Sequence, residues 1–430
     1  MIIKDRKFIQ AAKQALLDTF QDEKVAGMFE KCMENTLDTT IKIQDGETFI
    51  LTGDIPAMWL RDSVCQVRPF LLFAKDHAEI QEMLLGLIKK QVKLIAMDPY
   101  ANAFNESANG AGHQNDKTEM SPAVWERKYE IDSLCYPVQL AYLIWKITGR
   151  TEHFTTEFKQ CIDTIVTLWK VEQHHEEKSP YLFEREDCVP TDTLVRKGKG
   201  SLTGYTGMTW SGFRPSDDAC TYGYLVPSNM FAAVVLKYAE EMLSAFYSEE
   251  LALLERVREL RTQIEEGIEK HAIVTDDCYG EMYAYEVDGL GHTLQMDDAN
   301  VPSLMALPFL NYCDPQDARY QNTRRFILSS KNSTFFKGRE ANGVGSPHTP
   351  NNYVWPIALS IQGLTSQFES EKRDIVATLL RTDAGTGLMH ESFNVNNANE
   401  YTREWFSWAN MMFCELVLDV AGINMHKFIR

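Results

Sequence analysis

Four segments of the chain concentrate carboxylate, guanidinium, imidazole and indole groups within a few positions of one another. The first, Thr52-Gly-Asp-Ile-Pro-Ala-Met-Trp-Leu-Arg-Asp-Ser63, offers Asp54, Trp59, Arg61 and Asp62. Carboxylates and guanidinium groups bind paired hydroxyls with fixed geometry while an aromatic ring covers an apolar C–H face, the mixture that a sugar pocket requires. The same residues also fit a helix start, with Asp62 or Ser63 as cap and Arg61 in a structural ion pair. The second segment, Trp210-Ser-Gly-Phe-Arg-Pro-Ser-Asp-Asp-Ala-Cys-Thr-Tyr222, carries the adjacent Asp217 and Asp218. Neighbouring side chains point apart, so one carboxylate can face a cleft while the other caps or positions a loop; Ser216 and Asp217 are equally good caps.

The third segment, Gly385-Thr-Gly-Leu-Met-His-Glu-Ser-Phe-Asn-Val-Asn396, sets Glu391 between His390 and Ser392, where hydrogen bonds could aim it at a water molecule. A lone Glu is more often a solvated surface residue, and Asp218 is the candidate partner that would give it a catalytic meaning. The fourth, Gly343-Val-Gly-Ser-Pro-His-Thr-Pro-Asn-Asn-Tyr-Val-Trp-Pro356, combines His348, Asn351, Asn352, Tyr353 and Trp355 as hydrogen bonders and a stacking platform, or as a rigid Pro-rich turn. Further polar candidates are Asn105, His113, Trp125 and Asp132, and later His292, Asp297, Asp298 and Asn300. No HExxH or other compact ligand spacing suggests a metal site, and no cofactor is expected. Walker A and Gly-x-Ser-x-Gly patterns are absent, and Gly343-Val-Gly lacks the strand and helix of a dinucleotide site.

The elements that must position these loops are helices. Phe154, Phe158, Cys161, Ile162, Ile165, Leu168 and Trp169 share one helical face, as do Leu253, Val257, Leu260, Ile264 and Ile268. Similar stripes at 5–20, 78–97, 137–148, 228–246, 299–311, 354–366, 372–381 and 405–421 predict roughly ten or more helices. Between them run polar segments at 44–63, 98–133, 198–227, 276–300, 332–353 and 383–404. Long loops in a compact domain are usually functional, and this alternation suggests a ring of helical hairpins whose loops gather at one end. With no Pro/Ser-rich linker, residues 1–430 read as one domain. An irregular helical bundle is the rival architecture, with a short β-hairpin formed by the segment that begins at Cys278-Tyr-Gly-Glu.

Hydrophobic residues make up 44% and charged residues 24% of the chain, so a sizeable core is affordable. The net charge of -18 disfavours nucleic acid and anionic membranes as partners but is compatible with a neutral sugar. Nine cysteines, an odd number without a CxxC pair, read as reduced thiols. The opening Met1-Ile-Ile-Lys-Asp-Arg-Lys lacks a secretory pattern, and a cytoplasmic location is expected.

The segments 52–63, Arg214-Pro-Ser-Asp-Asp218 and Met389-His-Glu-Ser-Phe393 resemble those of glycoside hydrolase family 125, and the likeness spans almost the whole chain. That resemblance implies an all-α (α/α)6 toroid and an exo-acting, metal-independent α-1,6-mannosidase that inverts configuration. Its general acid matches Asp218 and its general base Glu391. The terminal mannose of an oligosaccharide would then bind among Arg61, Asp62, Asp132, Asn300, His348 and Trp355. An inverting site requires carboxyl groups roughly 6.5–9.5 Å apart, leaving room for the attacking water. The alternatives are a different linkage, another helical-toroid carbohydrate enzyme, and a mannose-binding protein without turnover.

Overall fold

The computed structural model describes residues 3–425. Helices dominate, and they fall into two kinds. Ile131–Thr148, Val226–Phe246 and Ser407–Val420 are buried on nearly all sides, and their sequences are apolar almost throughout. Lys7–Phe20, Thr156–Glu172 and Leu251–His271 bury a single stripe and leave charged faces to solvent. A helix apolar all round must be enclosed by others, whereas an amphipathic one covers it from outside. Consistent with this, Ile131–Thr148 packs against Val226–Phe246, which in turn packs against Leu251–His271.

The first and last helices of the described residues meet. Ser407–Val420 packs on Glu23–Thr39 and on Pro356–Leu364, closing the succession of helices onto its own beginning. One large apolar cluster runs from Ile3 to Met425, beside a small second one of Ala57, Trp59 and Ala103. Local chemistry sets the helix ends: Asp22, Thr155 and Asp317 each accept a backbone N–H of their helix's first turn. Pro227 and Pro356 occupy first-turn positions, where a missing N–H costs nothing.

Two features depart from the expected helices. Residues 299–311 form successive turns instead of a helix. Pro302 and Pro308 withdraw two N–H donors from that stretch, and the Asp297 carboxylate takes the amides of Leu304 and Met305 at 2.8 and 2.9 Å. In addition, the fold is not purely helical, because six small sheets occur among the described residues. The hairpin suspected near Cys278 is one of them, pairing Ile273–Asp276 with Gly280–Tyr283.

These sheets organise the long loops. Met58–Trp59 pairs with Ala103–Phe104, which pairs with Val124–Glu126. Tyr353–Val354 pairs with Phe393–Asn394, and that strand turns back through Asn397–Tyr401. Loops far apart in sequence are thereby fixed side by side, each anchored to the start of a buried helix.

A buried ion pair crosses the ring closure. Arg68 Nε lies 3.0 Å from both carboxylate oxygens of Glu415 on the Ser407–Val420 helix, and the guanidinium stacks over Phe309 at 4.2 Å. Both ions are buried, so removing one strands the other. Glu415→Ala is expected to destabilise the protein by about 3–5 kcal/mol in a denaturant titration; a loss below about 1 kcal/mol, the value of a surface pair, would contradict this.

Candidate functional site

The four conspicuous segments converge on one cavity. Its wall includes Trp59, Arg61 and Asp62 from the first segment, Pro215–Asp217 from the second, Glu391 from the third, and Arg403 from the stretch that follows it. His348 and Trp355 come from the fourth, Asn300 from the 276–300 loop, and Phe406 and Trp408 from the start of the last helix.

Arg61 is the centre of charge beneath this wall. It is 2% exposed, and its three nitrogens reach four carboxyl groups. Nη1 donates to Glu130 at 2.6 Å and to Asp132 at 3.1 Å, Nε lies 3.2 Å from Asp62, and Nη2 lies 3.5 Å from Asp217. One cation cannot neutralise four carboxylates, three of them buried, so protons make up part of the difference. Burial drives Glu130 well above the usual carboxylate range against the pull of Arg61, with the Asp217 charge adding to the rise. Asp217 moves the other way: burial opposes its charge, but Lys128, Arg61 and the hydrogen bond with Glu130 outweigh that and lower it. The two shifts are opposite in sign, so a proton is favoured on Glu130 over Asp217. Burial also pushes Asp62 up to about 6, with Arg61 holding it back.

Asp217 and Asp218 do diverge, and the backbone shows how. Asp217 sits at φ 66°, a left-handed conformation that Asp tolerates better than most residues. The turn sends the Asp217 side chain toward Arg61 and Asn102. Asp218 points instead at His348, whose Nδ1 lies 3.1 Å from Oδ1. Asp218 Oδ2 is buried with no hydrogen-bond partner. A buried polar atom left unpaired is costly, and this one lies directly behind the cavity wall, next to Asp217 and on His348. The loop is pinned by Ser216, which donates to Asp298 at 3.1 Å, and by the Arg214 amide, which donates to the Asp218 carbonyl at 2.8 Å.

Glu391 is held from behind by the return strand of its own hairpin. Thr402 Oγ1 donates to Oε2 at 2.8 Å, and Arg403 Nη1 lies 3.5 Å from Oε1. Both partners are donors, which suits a carboxylate in its ionised form. Arg403 also binds Asp54, so the third segment is tied to the first. Burial opposes a charged His348, but its hydrogen bond with Asp218 and the charges of Asp218, Asp217 and Glu391 prevail and raise it to about 9. These carboxylates thus surround a single imidazole.

Of the expected sugar-binding residues, Arg61, Asp62, Asn300, His348 and Trp355 stand in the wall. Asp132 is wholly buried one layer behind, with its carboxylate on Arg61 and the Ser228 hydroxyl. Asn105 ties the backbone of its own loop, Asp297 holds the 303–306 turns, and His292 pairs with Asp288 on an exposed loop. Trp59, which sequence leaves between core and site, reaches the wall with an unpartnered indole N–H. Arg403, Glu130 and Trp408 escaped the sequence reading. For Arg403 the available signal was its position just beyond the hairpin turn that follows Glu391.

The rise of Asp62 carries a thermodynamic consequence. A carboxyl raised from 3.8 to about 6 on folding contributes stability fully present below pH 4 and lost as pH climbs through 6. Relative to Asp62→Asn, the wild type should lose stability between pH 4 and 6, by no more than about 3 kcal/mol, in denaturant titrations at each pH. A difference between the two proteins that does not change over that interval would contradict the buried, proton-binding Asp62.

Residues 22–418 match the sequence profile of the metal-independent α-mannosidases of family GH125. The meiotically up-regulated gene 157 protein of Schizosaccharomyces pombe is 38% identical, over 98% of this chain and 87% of its own length. A metal-independent α-mannosidase from Streptococcus pneumoniae, solved in a non-productive complex with α-1,6-mannobiose, is 50% identical. It superposes with a TM-score of 0.95 over 98% of this chain and 99% of its own. A bacterial glucoamylase complexed with acarbose shares only 10% identity but a TM-score of 0.61, over 94% of this chain and 58% of its own, a likeness in helical-toroid fold alone. With its profile matched over nearly the full length and its loops converging on a cavity lined by acids, this chain is a glycoside hydrolase that belongs to the metal-independent α-mannosidases of family GH125.

Proposed function

We propose that the protein is an exo-acting α-1,6-mannosidase, built as one (α/α)6 catalytic domain, that releases terminal non-reducing α-mannose with inversion. The observation that carries this reading is the complementary setting of two carboxyls: Glu391 in the cavity wall, held by donors, and Asp218 just behind that wall on His348, with one oxygen free. Asp218 acts as general acid, delivering a proton from Oδ2 to the glycosidic oxygen as the C–O bond breaks. Glu391 acts as general base, taking a proton from the water that attacks the anomeric carbon from the opposite face.

Arg61, Asp62, Asn300 and His348 offer hydrogen bonds to sugar hydroxyls, and Trp59, Trp355 and Trp408 offer apolar faces. Asp132 contributes by fixing Arg61. Walls drawn from so many loops favour a closed pocket for one terminal residue over an open groove, which supports exo action. The α-1,6 preference is supported by the disaccharide bound to the Streptococcus pneumoniae relative. The nine free cysteines support a reducing, cytoplasmic setting, which cell fractionation would test.

Kinetics on α-1,6-mannobiose test the assignment. Asp218→Asn should lower kcat at least about 100-fold while costing much less on α-mannosyl fluoride, whose leaving group needs little protonation. Glu391→Gln should be slow on both substrates. Undiminished turnover by either variant, or equal rates on α-1,2- and α-1,3-mannobiose, would overturn the roles or the linkage respectively.

A further inference from the structure

We infer that Asp218 and His348 hold one exchangeable proton between them, so that the acid of this site is the pair and not Asp218 alone. The inference rests on the proposed role of Asp218 as general acid and specifies how that acid is kept loaded. Its geometric basis is an asymmetry between the two side chains. Asp218 is 2% exposed, with Oδ1 committed to His348 Nδ1 at 3.1 Å and Oδ2 buried without a partner. His348 is 38% exposed in its side chain, so it can exchange protons with water while the carboxyl cannot do so freely.

Every charged group around the pair bears on this. Facing His348 are Asp218, Asp217 and Glu391, all of which favour a charged imidazole. On its far side Asp218 faces Asp298, which is buried and hydrogen-bonded to Ser216, Ser346 and Asn300. The cations nearby are engaged elsewhere: Arg403 with Asp54 and Glu391, Arg61 and Lys128 with Asp217, and Arg214 with Glu286. His348 is thus the cation in direct contact with Asp218, opposed by burial but raised to about 9 by these carboxylates. An imidazole and a carboxyl this close titrate as a unit, and the proton that matters belongs to both.

The Nδ1–H donates to Oδ1 in either form of the pair. In one form the imidazole is charged through Nε2 and Asp218 is ionised. In the other the imidazole is neutral and the proton sits on Oδ2, ready for the glycosidic oxygen. Transfer of that proton accompanies cleavage of the C–O bond and leaves the carboxylate; uptake of a proton from water at Nε2 then restores the charge of the pair. Glu391 meanwhile releases to solvent the proton it took from the attacking water, so no net proton is gained or lost by the enzyme. A fixed hydrogen bond to Oδ1 throughout means that only Oδ2 changes, with little reorganisation at the moment of transfer.

The pair loses its single proton at higher pH than an isolated carboxyl would. The alkaline fall of kcat/KM on α-1,6-mannobiose should therefore move down by at least about one pH unit in His348→Gln, which retains a donor but cannot titrate. An alkaline limb that coincides with the wild type would overturn the inference. Proton NMR supplies a reading independent of turnover: the His348 Cε1–H titration, assigned by its loss in His348→Gln, should have its midpoint lowered by at least about one unit in Asp218→Asn. An unchanged midpoint would overturn the pairing. If Asp218→Asn instead retained full turnover, the role of Asp218 as acid would fail, and the NMR midpoint would still report whether the two groups share a proton.

Discussion

The site depends on a guanidinium that has almost no access to water. Arg61 can stay charged at 2% exposure only because carboxyl groups surround it, and those carboxyls can stay buried only because Arg61 is there. The residues it gathers come from three places: its own helix start, the Glu130–Asp132 entrance to a buried helix, and the Asp217 turn. A buried charge paired on several sides is a poor source of net stability, but it tolerates very few arrangements. The cation therefore fixes where the 214–218 loop can lie, and with it the direction in which Asp218 points.

On the other side of the cavity the same logic operates with fewer charges. Arg403 links Glu391 to Asp54, and the hairpin of Phe393–Asn394 with Asn397–Tyr401 returns Thr402 to the carboxylate that precedes it. The buried helices supply rigid starting points for these loops, while the small sheets determine which loops are neighbours. Positioning to a fraction of an ångström is what acid and base catalysis requires, and a scaffold of helices with pinned loops meets that requirement better than free loops would. Asp218 is buried and bound to an imidazole, whereas Glu391 is bound to donors. Under the proposed mechanism, two carboxyls of similar intrinsic acidity are given opposite tasks by these surroundings.

Much of this was legible in the chain because the physics involved is local. The stripes of 78–97 and of Leu253 to Ile268 follow directly from helical periodicity, and they match Ala78–Met97 and Leu251–His271. Glu23–Thr39 was missed because its charged positions, Lys24, Glu30, Lys31 and Glu34, dilute the stripe that its tertiary packing uses. The 299–311 stripe misled because apolar spacing persisted across two prolines and a competing side-chain acceptor, Asp297. Arg61, Asp62, His348, Trp355 and Glu391 were conspicuous in polar, aromatic loops, and the cavity gathers them. Glu130 and Arg403 were not, because their meaning arises from pairing across strands and loops that no local pattern encodes. The separate roles of Asp218 and Glu391 came from family resemblance; the residues alone indicated only two carboxyls worth pairing.

The central claim is that these two carboxyls act on opposite faces of one sugar ring. Proton NMR of the anomeric signals during digestion of α-1,6-mannobiose tests it most directly. β-Mannose should appear first, with the α-anomer growing only as mutarotation proceeds. Initial release of α-mannose would mean retention, through a covalent intermediate or another arrangement, and would contradict the assignment of Glu391 as a base acting through water.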